Sequence, residues 1–279
     1  MIRIITDSLS DFTPSDAQDK NIDVMPLSVR FGEESYLCGY EITNEEFYEK
    51  LVSSKESPST AAVSPYDFEK KFKEYLEQGD EIIAILFTKN LSATYQSAVI
   101  AKNNLDSDKI HLIDTENASV AQGVLVQTAI NMRDEGKSVD EIVSTIEDIL
   151  QRAHVFIVLD TLEYLKRGGR ISPSVAFVGG VLGLHPVIEI SKGKLELIDK
   201  VKGTKAMSKW LVNKVDSLPV DENYPVFIGH SNAKEKADSL CTMMKDKSFG
   251  GDIPTYCIGS SIGTHVGPDA IAIGYISKE

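Results

Sequence analysis

Two apolar patterns alternate along the first half of the chain. Short runs rich in β-branched residues predict buried strands, at 2–6, 24–31, 81–87 and 109–114. Between these runs, apolar residues recur at helical spacing and predict helices, at 43–54, 64–79, 91–104, 118–135 and 138–151. Strands that alternate with helices predict a parallel sheet covered by helices on both faces, that is, an α/β domain.

The pattern changes near residue 153. The segment "HVFIVLD" (154–160) predicts a strand, "TLEYLKRGGRIS" (161–172) a short helix ended by glycines, and residues 185–200 a hairpin. Further predicted elements follow in mixed order, with helices at 203–217 and 232–246 and strands at 225–230, 254–259 and 269–276. We therefore predict two domains, an α/β domain over residues 1–153 and an α+β domain over residues 154–279.

Three polar loops follow predicted strands of the first domain. They are "TDSLSD" (6–11), "FTKNLS" (87–92) and "DTENAS" (114–119). Since ligands of open α/β sheets gather at the carboxyl ends of the strands, these loops mark the expected site. Asp7 and Asp11 lie in the first loop at a spacing that suits a turn or a helix start better than a metal or phospho-aspartate site.

Composition narrows the possible functions. The net charge of −13 disfavours binding to nucleic acid over most of the surface. The cysteines, Cys38, Cys241 and Cys257, have no metal-binding spacing, so no metal is expected. No signal peptide pattern and no apolar run of about 20 residues occurs, so we expect a cytoplasmic protein without an integral membrane segment.

The segment "GSSIG" (259–263) matches the G-x-S-x-G pattern of serine hydrolases, and His265 follows closely. That pattern needs a strand, a sharp turn and a helix, followed along the chain by an acid and a histidine. We expect no helix in "THVGPDAIAIGY" (264–275), and only sixteen residues follow Gly263. Hydrolysis through Ser261 or Ser92 with His265 is therefore a minor alternative.

A series of motifs along the whole chain resembles the DegV family of bacterial fatty-acid-binding proteins. The longest and most specific are "TLEYLKRGGRIS" (161–172) and "IGTHVGPDAIAI" (262–273). The others, in chain order, are "ITDS" (5–8), "PSTAAVSP" (58–65), "NLSATYQSA" (90–98), "DTENASVAQG" (114–123) and "GHSNA" (229–233).

The resemblance implies a long-chain fatty acid in a tunnel between a Rossmann-like N-terminal α/β domain and a C-terminal α+β domain. It also implies a non-catalytic role, without a cofactor, as the lipid-carrying subunit of a fatty acid kinase. In such a system a separate ATP-dependent kinase subunit phosphorylates the bound carboxyl group. The Gly-rich stretch "VAFVGGVLGLHPVI" (175–188) is a candidate tunnel wall, with plain core as the rival interpretation.

Matching the family motifs onto this sequence implies a role for five residues. Thr60, Ser92 and His265 fall on the positions that bind the fatty-acid carboxylate, and Arg170 and Lys202 fall on a basic rim that faces the kinase. On this interpretation, the stretch around His265 is a loop that covers the head group, with Gly263, Gly267 and Pro268 allowing a close backbone approach.

The chain departs from the family pattern near these residues. Ala61, Ala62 and Val63 follow Thr60 where the family often has Ser-Gln-Pro, Ala93 replaces a glycine after Ser92, and Lys202 replaces an arginine. Lysine lacks the planar fork with which arginine makes bidentate contacts. A lipid scavenger or regulator without a kinase partner therefore stays open as an alternative function.

Overall fold

The computed structural model describes residues 1–54, 56–171, 183–245 and 253–278. Its first half contains seven strands, β1 to β7, and six α-helices, α1 to α6. In chain order they are β1 Ile2–Asp7, α1 Pro14–Asp19, β2 Asp23–Met25, β3 Ser28–Phe31, β4 Glu34–Leu37, α2 Asn44–Ser53, β5 Ser59–Ala61, α3 Pro65–Glu77, β6 Glu81–Leu86, α4 Thr94–Leu105, β7 Ile110–Asp114, α5 Ser119–Asp134 and α6 Val139–Ile149.

The second half continues with the same two kinds of element. They are β8 Ala153–Val158, α7 Glu163–Arg167, β9 Leu184–Ser191, β10 Lys194–Lys202, α8 Thr204–Ser217, β11 Phe227–His230, α9 Lys234–Met244, β12 Thr255–Cys257, α10 Ser260–Val266 and β13 Ile271–Ile276. The fold is mixed α/β, as predicted. The predicted domain boundary near residue 153 falls where β8 begins, and the division itself stays a prediction.

The strands form three sheets. A parallel sheet has the order β2-β1-β6-β7, and a small antiparallel sheet has the order β4-β3-β5. The third sheet has the order β10-β9-β8-β13-β11-β12 and is antiparallel except between β11 and β12. The predicted strand over 24–31 is two strands in different sheets, because Pro26 has no N–H for the ladder and the N–H of Leu27 donates instead to the Ser8 hydroxyl.

Helix α5 lies between the parallel sheet and the third sheet. It is buried over most of its length, and Gly274 of β13 approaches it so closely that a Cβ there would lie 2.6 Å from the backbone nitrogen of Ala121. On the opposite face of the third sheet, α8 and α9 pack in a separate hydrophobic core against residues such as Phe156 and Tyr275. This arrangement sets the carboxyl ends of the parallel strands against one face of the third sheet.

Local sequence signals explain several helix starts. Ser64 caps α3 by accepting the N–H of Asp67, and Pro65 occupies the first helical position, as the sequence predicts. Thr43 and Ser138 form capping boxes at the starts of α2 and α6. Among the described residues, no helix is long and apolar enough to cross a membrane.

Candidate functional site

A cavity of about 280 Å³ lies where the carboxyl ends of the parallel strands face the third sheet. Fourteen apolar residues form most of its wall. They are Leu9, Leu27, Ala62, Phe87, Leu91, Ala93, Ala118, Ile157, Leu165, Ile188, Ile190, Leu195, Ile262 and Val266. Five polar residues of the described chain also line the cavity, namely Thr60, Ser92, Arg170, Ser261 and His265. The cavity therefore offers an apolar space with a small number of polar groups, as sites for small lipids do.

Thr60 and His265 meet at this cavity although 205 residues separate them. The Thr60 hydroxyl lies 3.2 Å from Nε2 of His265. Thr60 lies on β5, in register with Val29 of β3, and His265 lies in the last turn of α10. Both were expected in loops, and the ordered elements hold their side chains more firmly than loops would.

His265 is a half-buried histidine with a lowered pKa. Burial lowers its pKa to about 4, and the positive charge of Arg170 lowers it further in the same direction. Its Nδ1 is buried without a hydrogen-bond partner and packs on Gly168, where an added Cβ would lie 2.1 Å from this atom. Gly168 of the motif "TLEYLKRGGRIS" therefore has a concrete role, since the absence of a side chain there makes room for the imidazole ring.

Ser92 precedes α4 and lines the same cavity. Its hydroxyl lies 3.0 Å from the Thr94 hydroxyl and accepts the backbone N–H of Thr94 at 3.2 Å. Because Ala93 at the helix N-cap has no capping side chain, Ser92 takes over part of this role. The hydroxyl is thus fixed in orientation at the cavity wall.

The structure separates the two predicted rim cations. Arg170 lines the cavity with an exposed side chain, and its guanidinium donates to the carbonyl of Gly168 at 2.5 Å. Lys202 ends β10 in an exposed position and does not line the cavity. The structure thus brings Thr60, Ser92, His265 and Arg170 together and leaves Lys202 apart.

The prediction that no helix follows the strand before "GSSIG" is wrong, because Ser260–Val266 form α10. The helix forms since Gly263 allows close packing on α2, where a Cβ would lie 2.7 Å from both Phe47 and Tyr48. Even so, the Ser261 hydroxyl donates to the Cys38 thiol at 3.0 Å, while His265 contacts Thr60. The geometry does not join Ser261 and His265 as nucleophile and base.

Comparison with known proteins identifies the family. The DegV family model, described as "Uncharacterised protein, DegV family", matches residues 1–278. The chain belongs to the DegV family. It is 35% identical over 278 residues to a DegV domain-containing protein of Caldanaerobacter subterraneus subsp. tengcongensis, covering 99% of each chain. A second DegV domain-containing protein, from Clostridium perfringens, is 32% identical over 277 residues and is also covered to 99%.

Solved DegV structures share the fold. A DegV family protein from Thermus thermophilus, described as binding fatty acid, has a TM-score of 0.89 and 26% identity, with 99% of each chain covered. A stearic-acid-binding protein from Eubacterium ventriosum has a TM-score of 0.86 and 26% identity, with 100% of this chain and 99% of that chain covered.

Sequence reasoning missed much of the DegV cavity wall. Ile157, Ile190 and Leu195 belong to strands of the third sheet, and their spacing does not distinguish a cavity wall from a packed core. Of the candidate wall segment 175–188, residues 175–182 lie outside the described residues, and Ile188 lines the cavity. In the described part of the chain, no group of three or more His, Cys, Asp or Glu side chains is placed to hold a metal ion.

Proposed function

We propose that this chain binds a long-chain fatty acid in the cavity, with the carboxylate at Thr60, His265 and Ser92 and the acyl chain along the apolar wall. The observation that carries this proposal is the hydrogen bond between Thr60 and His265 at the side of a mainly apolar cavity. The proposal gains support from the fatty-acid-binding DegV family protein of Thermus thermophilus and the stearic-acid-binding protein of Eubacterium ventriosum, which share the fold.

The apolar wall provides the affinity. Each buried methylene contributes about 0.8 kcal/mol, so a chain of sixteen carbons gains on the order of 10 kcal/mol before association costs are subtracted. The polar side chains fix the position of the head group, since a buried carboxylate needs hydrogen-bond donors. A short apolar ligand without a carboxylate would therefore bind weakly and without a defined orientation.

The hydrogen-bond roles at the head group follow from the chemistry of a carboxylate. An ionised carboxylate only accepts hydrogen bonds, so Thr60 must donate its O–H to the ligand. Thr60 then accepts the Nε2–H of His265, which leaves Nδ1 as the unprotonated ring nitrogen, so His265 acts on the carboxylate through Thr60 and not by a direct hydrogen bond. This tautomer agrees with an Nδ1 that is buried without a partner, since a buried N–H is less often left unpaired than an acceptor.

The second part of the proposal concerns what happens to the bound fatty acid. We propose that the protein is a non-catalytic subunit that presents the carboxylate to a separate ATP-dependent kinase for conversion to an acyl phosphate. Arg170 supports this role, because its exposed cation at the cavity offers a contact for an acidic partner or for phosphate. Lys202 lies outside the cavity, so any part it plays in docking would be at the surface.

The test uses protein stripped of lipid and titrated with a sixteen-carbon fatty acid. Thr60→Val removes the donor at nearly constant volume, while Thr60→Ser keeps it and serves as the matched control. We expect about tenfold weaker binding for the valine variant, the loss of one hydrogen bond to a charged group, and near-native binding for the serine variant. Equal affinity in all three proteins would contradict the placement of the head group.

A second experiment tests the kinase role. The loaded protein is mixed with a bacterial fatty acid kinase subunit and ATP, and acyl phosphate is trapped with hydroxylamine. Trapped product only in the presence of both proteins supports the subunit role. Tight lipid binding without any product favours the scavenger or regulator, for which the loss of one hydroxyl group within Ala61–Val63 is the relevant observation.

A further inference from the structure

Asp11 joins three distant segments of the chain. Its Oδ1 accepts the backbone N–H of Gly259 at 2.9 Å, and its Oδ2 accepts the hydroxyl proton of Ser119 at 2.5 Å. Asp11 itself is 3% exposed and follows the short 3-10 helix Ser8–Ser10. One buried carboxylate therefore connects the loop after β1 with the start of α5 and the start of α10.

Each of these segments contributes to the cavity wall. Leu9 lies in the 3-10 helix, Ala118 directly precedes α5, and α10 carries Ile262 and His265. Gly259 is the N-cap of α10 and has no side chain with which to bond the helix start. The carboxylate of Asp11 thus provides a hydrogen-bond acceptor from 248 residues away.

The backbone around this junction is specialised. Asp11 and Ser119 both adopt left-handed conformations, with φ of 64° and 53°. Residues with a Cβ enter this region at a cost, and aspartate is among the few that tolerate it. Because such backbone conformations are costly, they persist only where the surrounding structure holds them. The hydrogen bond between Asp11 and Ser119 is one contact that holds both residues in place.

We propose that Asp11 is a positioning residue, which fixes the start of α10 and thereby holds His265 against Gly168 and within hydrogen-bond distance of Thr60. The expected consequence, tighter binding of the fatty-acid carboxylate, rests on the proposed function. The titratable groups around Asp11 are Asp7, Tyr48 and Cys257, and their interactions with it are electrostatic.

The test follows the pKa of His265 by NMR in protein free of lipid, because this pKa reports the burial of the ring. Asp11→Gly removes the carboxylate and adopts the left-handed backbone without strain. Asp11→Asn keeps an acceptor for Gly259 and serves as the conservative variant. We expect the pKa of His265 to rise from about 4 toward 6.5 in Asp11→Gly, with a smaller rise in Asp11→Asn.

Asp7→Asn is the matched control. Asp7 is equally buried and ends β1, but it accepts hydrogen bonds from Leu9, Phe87 and Gln122 and from no residue of α10. We expect the pKa of His265 to stay unchanged in this variant even if its stability falls. Ser119→Gly removes only one of the two hydrogen bonds and provides a further variant should Asp11→Gly not fold.

Fatty-acid affinity is then measured on the same proteins. We expect Asp11→Gly to bind about tenfold more weakly than the unsubstituted protein. An unchanged pKa of His265 in Asp11→Gly, or an equal rise in Asp7→Asn, would overturn the inference. An unsubstituted protein that binds no fatty acid would instead remove the proposed function, while the pKa comparison still decides whether Asp11 positions His265.

Discussion

Replacement of Gly168 by alanine perturbs the head-group site without touching a polar group. Gly168 follows α7 with φ of −73° and ψ of −8°, a helical conformation that alanine adopts readily. The added Cβ would lie 2.1 Å from Nδ1 and 2.8 Å from Cε1 of His265. The backbone therefore accepts the substitution, and the imidazole ring has to move.

The size of this movement follows from the distances. Ordinary van der Waals contacts of a Cβ begin near 3.4 Å, so the ring has to retreat by about 1.3 Å. The hydrogen bond between His265 and Thr60, now 3.2 Å, does not survive such a shift in place. Loss of one buried hydrogen bond costs about 0.5–1.5 kcal/mol, which weakens fatty-acid binding roughly two- to tenfold.

The assay compares the fatty-acid affinity and the thermal unfolding of Gly168→Ala and Gly169→Ala. Gly169 has φ of +68°, and an added Cβ meets no atom of the described residues within 4 Å, so alanine there strains the backbone without a clash in this part of the chain. We expect Gly168→Ala to lose affinity for fatty acid and about 0.5–1.5 kcal/mol of stability, the cost of the broken hydrogen bond. For Gly169→Ala we expect about 1 kcal/mol lower stability with unchanged affinity. Native affinity in Gly168→Ala would refute the packing argument.

Further predictions concern other parts of the site. The pKa of His265 is about 4 in the folded protein and 6.5 in the unfolded chain, so protons bind the unfolded chain more tightly, and the protein should lose stability relative to His265→Gln as the pH falls from 6.5 toward 4. Denaturation at several pH values measures the free energy of unfolding of both proteins. A difference between the two free energies that does not change with pH would contradict the prediction. Gly193→Ala places a Cβ 2.3 Å from the Thr88 hydroxyl at φ of +70°, so it should lower the melting temperature more than Gly183→Ala, whose Cβ at φ of +75° meets no atom of the described residues within 4 Å. Equal melting temperatures in the two variants would contradict this. Ser261→Ala should keep its affinity for fatty acid, since the Ser261 hydroxyl donates to the Cys38 thiol. For the same reason the unsubstituted protein should not react with serine-reactive phosphonates, and rapid labelling of Ser261 would reopen the hydrolase alternative.

Local patterns predicted most elements of the fold. Caps such as Ser64 with Pro65 act within a few residues, so the start of α3 is visible in the sequence. The edge strand β4 was missed, because its polar sequence "ESYL" has no apolar run and only its hydrogen bonds to β3 make it a strand. Helix α10 was missed since glycine is a poor helix former, and its packing on Phe47 and Tyr48 overrides that preference.

The candidate site was predictable only in part. Motif resemblance selected Thr60 and His265, whose contact spans 205 residues, and the structure places them at hydrogen-bond distance. Their role in binding a carboxylate stays a prediction. No periodicity marks Asp11 or Gly168 as parts of the site, because the role of each depends on which distant segment the fold brings against it.

The most direct measurement is mass spectrometry of an organic extract of the purified protein, followed by titration of the stripped protein with fatty acids. The proposed function predicts close to one equivalent of a long-chain fatty acid in the extract, or saturable uptake of one equivalent by the stripped protein. An empty extract together with no uptake by folded protein would contradict it, and the cavity at Thr60 and His265 would then need another ligand.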